Sequence, residues 1–118
     1  MRIATFNVNG IAARLPRLLE WLDETQPDIA GLQEVKCEDA RFPTEPFRER
    51  GYHLEVHGQK GFNGVAVLAR SPIEDVVRGL PGDSGDEQAR WIEGTVSGIR
   101  FVSQYLPNGN TQPGLKFD

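Results

Sequence analysis

Cysteine is almost absent from this sequence: Cys37 is the single one among 118 residues. An intramolecular disulfide is therefore excluded, and no second thiol can help build a zinc site. Cys37 itself reads as an incidental reduced thiol. Histidine is nearly as scarce, and His53 and His57 do not stand in metal-finger spacing. No apolar run approaches the roughly 20 residues needed to span a bilayer. The opening MRIATFNVNG lacks the long apolar stretch and small-residue cleavage site of a signal peptide, so cytoplasmic residence is the expectation. Positive charge is not in excess either: 13 Lys and Arg stand against 17 Asp and Glu, for a net charge of −4. Domains that grip nucleic acid by bulk electrostatics are usually basic, which counts against that mode. The same balance suits a metal enzyme, where bound cations supply positive charge and the protein supplies carboxylates.

What is present is a globular composition, 38% hydrophobic and 25% charged, of a length suited to one modest domain. Ile3-Ala4-Thr5-Phe6 is a β-prone run followed by a turn at Asn9-Gly10. Leu15, Leu18, Leu19 and Leu22 recur at helical spacing, which predicts an amphipathic helix closing near Thr25-Gln26-Pro27. Pro16 fits such a helix in its first turn, where no amide donor is needed. Ile29-Ala30-Gly31-Leu32 is a second short strand, so the three segments form a strand–helix–strand unit with a parallel pair. Tyr52–His57 alternates as a strand does, and 58–64 is a glycine-rich connection. Val65–Ala69 is a buried strand and Ile73–Val77 a weaker one, with a Gly/Asp loop over Leu80–Gln88. Trp91–Val96 and Ile99–Tyr105 form a hairpin around Ser97-Gly98. The fold class is α/β with a mixed sheet carrying an antiparallel extension. Its strands are expected to lack a second covering layer within this chain.

Two polar groups fall at the carboxyl ends of the two parallel strands, Asn7 after the first and Glu34 after the second. Open α/β sheets place ligands at that edge. Glu34 is a hard oxygen donor suited to Mg²⁺, which takes only one or two protein carboxylates and keeps water and phosphate as its other ligands. Asn7 is able to orient such a carboxylate. Polar residues also end strands for purely structural reasons, and spacing alone leaves both readings open.

The segments Ile3–Gly10 and Gly31–Lys36 resemble the paired N-terminal signatures of the exonuclease III family of apurinic/apyrimidinic endonucleases, within the endonuclease/exonuclease/phosphatase superfamily. Tyr52-His53 with 57–61, Gly64–Leu68 and Tyr105-Leu106-Pro107-Asn108-Gly109 resemble three further family segments in the same order. The resemblance implies the N-terminal half of a DNase I-like sandwich, four-layered α-β-β-α, with residues 1–118 as a partial domain. It implies a metal site at Asn7 and Glu34, holding Mg²⁺ or in its place Mn²⁺. It implies a catalytic tyrosine at Tyr105 and a phosphate-side asparagine at Asn108. Asn9 stands where some relatives carry an acid, and Lys36 supports Glu34 or is a solvated loop lysine. Phe62, in the glycine loop, contacts DNA or packs into the protein, and Arg90 reaches a phosphate or forms a surface ion pair. The implied activity is hydrolysis of DNA phosphodiester bonds, as 3′–5′ exonuclease and abasic-site endonuclease. The implied partner is double-stranded DNA with abasic sites or 3′ ends, with no membrane and a monomeric full-length protein. The family's later Asp, Asn and Asp–His residues have no match here, so the chain alone is expected to be inactive and marginally stable. A superfamily phosphatase acting on another phosphoester, or a non-catalytic binding module, stand as alternatives.

Overall fold

This computed structural model describes residues 1–58, 63–78 and 91–104. The described residues form β1 (Ile3–Asn7), α1 (Ile11–Thr25), β2 (Ile29–Gln33), α2 (Glu45–Glu49), β3 (His53–His57), β4 (Val65–Ala69), β5 (Glu74–Arg78), β6 (Trp91–Val96) and β7 (Ile99–Gln104). A single 3₁₀ turn at Asp39–Arg41 precedes α2. None of these helices is long and apolar enough to cross a membrane. The Leu80–Gln88 loop and part of the 58–64 connection lie outside the described residues.

The strands divide into two sheets. One has the order β1-β2-β4-β3, with β1 and β2 parallel and the remaining pairs antiparallel. The other is an antiparallel meander, β5-β6-β7. This corrects the expectation of one extended sheet without a second layer. The last three strands leave the mixed sheet and cover its open face. The period-2 alternation of β4 shows how. Ala66 and Leu68 point to a core shared with Leu18 and Leu22 of α1 and with Phe47 of α2, while Val65, Val67 and Ala69 point to Ile92, Val96 and Phe101 of the second sheet. Both faces of β4 are thus buried, as its all-apolar sequence requires. The layers run helix, sheet, sheet. The second helical layer of a four-layered sandwich, on the far side of the β5-β6-β7 sheet, has no counterpart among the described residues.

Close approach of the two sheets depends on Gly31. A Cβ there would stand 3.1 Å from Phe101 Cε1 and from Ser103 Oγ. Ser103 is 1% exposed, and its hydroxyl donates to the Leu32 carbonyl at 3.0 Å while accepting from the Gln33 amide at 3.1 Å. That polar bridge pins β7 to β2 beside the carboxyl edge of the mixed sheet.

Helix α1 begins at Ile11, four residues before the first periodic leucine. The free amides at a helix start need acceptors. Here Gly10 N–H donates to the Glu34 carbonyl at 2.8 Å and Ile11 N–H to the Val35 carbonyl at 2.9 Å. The segment leaving β2 therefore fixes where the helix starts. As a result Pro16 lies in the helix interior rather than in its first turn. The helix keeps it because Leu18 and Leu22, at 0% and 1% exposure, dock the following turns against the sheet.

Candidate functional site

β4 is antiparallel to both β2 and β3, so β1, β2 and β3 all end on one edge. Asn7, Gln33-Glu34 and His57 end them there, next to Asn63 and Gly64 at the entry to β4. His57 pairs in register with Val65, in keeping with its reading as a strand residue.

Four loop residues at this edge have left-handed backbones: Asn9 at φ 52°, Glu34 at φ 54°, Lys36 at φ 53° and Asn63 at φ 57°. Asn adopts this conformation readily, whereas Glu and Lys do so only under constraint. The constraint comes from the entry to β4. Val35 N–H donates to the Gly64 carbonyl at 3.1 Å, and Lys36 N–H to the Asn63 carbonyl at 2.8 Å. Gly64, at φ +94°, leaves room for this contact, since a Cβ on it would come within 2.5 Å of Val35 Cγ2. Nothing in the composition of Glu34-Val35-Lys36 announces the conformation. The Asn63-Gly64 pair that imposes it is legible in the sequence only as part of a glycine-rich connection.

The constrained backbone aims the side chains at one another. Asn7 Nδ2 donates to Glu34 Oε1 at 2.8 Å, and Asn7 Oδ1 accepts from the Asn9 backbone N–H at 3.1 Å. Lys36 Nζ donates to Asn9 Oδ1 at 2.7 Å and stands 3.8 Å from Glu34 Oε2. Asn7, Asn9, Glu34 and Lys36, all named from the sequence, therefore meet in a closed ring. Both charged side chains are partly sheltered, Glu34 at 20% and Lys36 at 34% exposure. Tyr105, Asn108, Phe62 and Arg90 lie outside the described residues.

The donor set suits a divalent cation in a limited way. Glu34 Oε2 accepts no hydrogen bond from the described residues, which leaves a carboxylate oxygen available to a hard ion. Asn7 has committed its amide to orienting Glu34, so Glu34 is the direct ligand the ring offers. No group of three or more His, Cys, Asp and Glu suited to a metal occurs among the described residues. A groove of about 570 Å³ opens beside the ring, lined by Asn7, Asn9, Arg14 and Arg17 among others. Arg17 is engaged by Glu20 at 2.6 Å and Glu24 at 3.6 Å. Cys37 is half-buried next to the ring, and burial raises its thiol pKa, assisted by the nearby Glu38 carboxylate.

Comparison with known proteins finds relatives over most of this chain. The chain is 38% identical over 116 residues to exodeoxyribonuclease III of Haemophilus influenzae, covering 95% of this chain and 43% of that protein. It is 29% identical over 115 residues to the DNA repair nuclease APEX1 of Danio rerio, covering 93% of this chain and 37% of the other. Among solved structures, the 3′ phosphatase NExo from Neisseria, bound to product DNA hairpin, superposes with a TM-score of 0.88 at 41% identity, over 99% of this chain and 46% of that one. An AP endonuclease from Archaeoglobus fulgidus gives 0.87 at 41% identity, over 92% of this chain and 42% of that one. The chain thus spans less than half the length of these relatives. Residues 4–115 match the model of the Endonuclease/Exonuclease/phosphatase family, and the chain belongs to that family.

Proposed function

We propose that this chain supplies the Glu34 side of the active site of a metal-dependent nuclease that hydrolyses phosphodiester bonds in DNA. The observation that carries this reading is the Glu34 carboxylate, held by Asn7 at 2.8 Å on the common edge of three strands, with its second oxygen free of hydrogen bonds among the described residues. Glu34 would hold Mg²⁺, or Mn²⁺ in its place, and the ion when bound would stabilise charge on phosphate oxygens. Asn7 orients the carboxylate and spares it the entropy of rotating. Arg14, in the adjoining groove, adds positive charge where a backbone phosphate would lie. Tyr105 and Asn108 are assigned to the phosphate on their match to a family segment, Phe62 to DNA contact from its place in the glycine-rich loop, and Arg90 to a phosphate from its charge beside an acidic stretch. The substrate proposed is duplex DNA at abasic sites or 3′ ends, which the names of the relatives support. Cytoplasmic residence and a monomeric state belong to the same reading.

The test compares Mg²⁺-dependent incision of an abasic duplex with hydrolysis of a small phosphomonoester, in a form of the protein extended to the length of its relatives. Incision of DNA is expected, with Glu34→Ala losing most of the rate and excess Mn²⁺ restoring part of it. The 118-residue chain alone is expected to give none. Preference for the phosphomonoester would favour a superfamily phosphatase, and no metal-dependent cleavage of either would favour a binding module.

A further inference from the structure

We propose that Asn9 is a positioning residue that tethers the Lys36 ammonium away from Glu34 and so keeps the carboxylate open to a divalent cation. The inference rests on the metal reading of Glu34. Lys36 Nζ lies 2.7 Å from Asn9 Oδ1 but 3.8 Å from Glu34 Oε2. The first is a full hydrogen bond and the second is beyond hydrogen-bond range. An ammonium this near a partly sheltered carboxylate is drawn onto it, and direct contact would occupy the oxygen a hard cation needs. Asn9 Oδ1 engages one of the three ammonium donors and holds the group short of that contact.

The backbone is fixed at both ends of the tether. Asn9 is fixed by its left-handed backbone and by its N–H bond to Asn7 Oδ1 at 3.1 Å. Lys36 is fixed by its own left-handed backbone and by its N–H bond to the Asn63 carbonyl at 2.8 Å. The neutrality of Asn9 matters as much as its position. An aspartate there would hold the ammonium and also add a negative charge. Asn9 holds it without doing so, and the formal charges of Glu34 and Lys36 cancel. Cation affinity at this ring is therefore governed by how far the ammonium is kept from the carboxylate.

Mn²⁺ binding to the purified protein, followed by electron paramagnetic resonance at fixed ionic strength, tests this without any assay of activity. Asn9→Gly tolerates the positive φ and removes the tether. It is expected to weaken Mn²⁺ binding several-fold. Lys36→Met keeps the aliphatic stem and removes the charge, and is expected to tighten binding about tenfold, the scale of one charge acting on a divalent ion across a few ångströms of mostly solvated space. In the Lys36→Met background, Asn9→Gly is expected to have no further effect. Equal affinity of the wild type and Asn9→Gly, or the same loss in both backgrounds, would overturn the tether while leaving Glu34 as a ligand. Failure of Mn²⁺ to bind both the wild type and Lys36→Met would overturn the metal reading and the tether together.

Discussion

Gly64→Ala is expected to be among the most damaging single-methyl additions in this protein. Two costs combine. Gly64 sits at φ +94°, and a side chain in the left-handed region costs roughly 1–2 kcal/mol. The new Cβ would also come within 2.5 Å of Val35 Cγ2, a side chain at 0% exposure with no room to retreat. Overpacking of this kind costs roughly 1–3 kcal/mol. Loss of chain entropy in the unfolded state returns about 0.4–1 kcal/mol. The net expectation is a loss of about 2–4 kcal/mol, a large share of the roughly 5–15 kcal/mol that holds a domain folded. Gly98→Ala is the matched control. Gly98 also has a positive φ, at +81°, but nothing lies within 4 Å of the methyl that alanine would add, so only the backbone cost applies. Urea denaturation of the two variants isolates the packing contribution. Since Val35 lies between Glu34 and Lys36, Gly64→Ala should also weaken Mn²⁺ binding under conditions where it is still folded. Equal stability of Gly64→Ala and Gly98→Ala would refute the claim that Val35 packs rigidly under the site.

Ser103→Ala should cost about 1–3 kcal/mol, because it strips a buried acceptor from the Gln33 amide and a donor from the Leu32 carbonyl; an unchanged urea midpoint would contradict this. Hydrogen bonds from Arg100 and Trp91 hold the Glu93 carboxyl below the usual carboxylate range. Its contribution is therefore present above the unfolded pKa of about 4.3 and is lost as pH falls through the lower folded value. The stability gap between wild type and Glu93→Gln should shrink in that acid window, and a gap independent of pH would count against the pairing. Burial raises the Cys37 thiol pKa, so iodoacetamide should alkylate it more slowly near neutral pH than it does free cysteine. Equal rates would show the thiolate to be more available than its surroundings allow.

Local periodicity carries much of the fold. The leucine spacing of α1 and the apolar runs of β1 and β2 define a strand–helix–strand unit, and that unit alone predicts Asn7 and Glu34 on one edge. The partition of β5, β6 and β7 into a separate sheet is not legible in the same way. Alternating antiparallel strands read alike whichever sheet they join, and the choice here depends on contacts such as Phe101 against Gly31 and Ile73 against Gly94. Helix α2 escapes a reading of the sequence because five residues containing Pro46 give too little periodicity; Phe47 and its burial beneath the mixed sheet define it instead. At the site, residue identity names all four members of the ring. Their mutual geometry depends on left-handed Glu34 and Lys36, which follows from backbone bonds to Asn63 and Gly64, residues far away in sequence.

The amides of Gly10 and Ile11 that bond to the carbonyls of Glu34 and Val35 also bear on the order of assembly. All four ring residues lie within the first 36 of the chain, and the Asn7–Glu34 bond closes a separation of 27 residues. The entropy of closing a loop grows only logarithmically with its length, so this early closure is inexpensive compared with joining distant strands. Chains emerge from the ribosome N-terminus first, and the carboxylate is therefore expected to be roughly aligned while much of the protein is still being made. Only the entry to β4 is then needed to lock the left-handed turn. Residues added later would meet a partly formed ring of side chains and pack against it, and would not have to organise it.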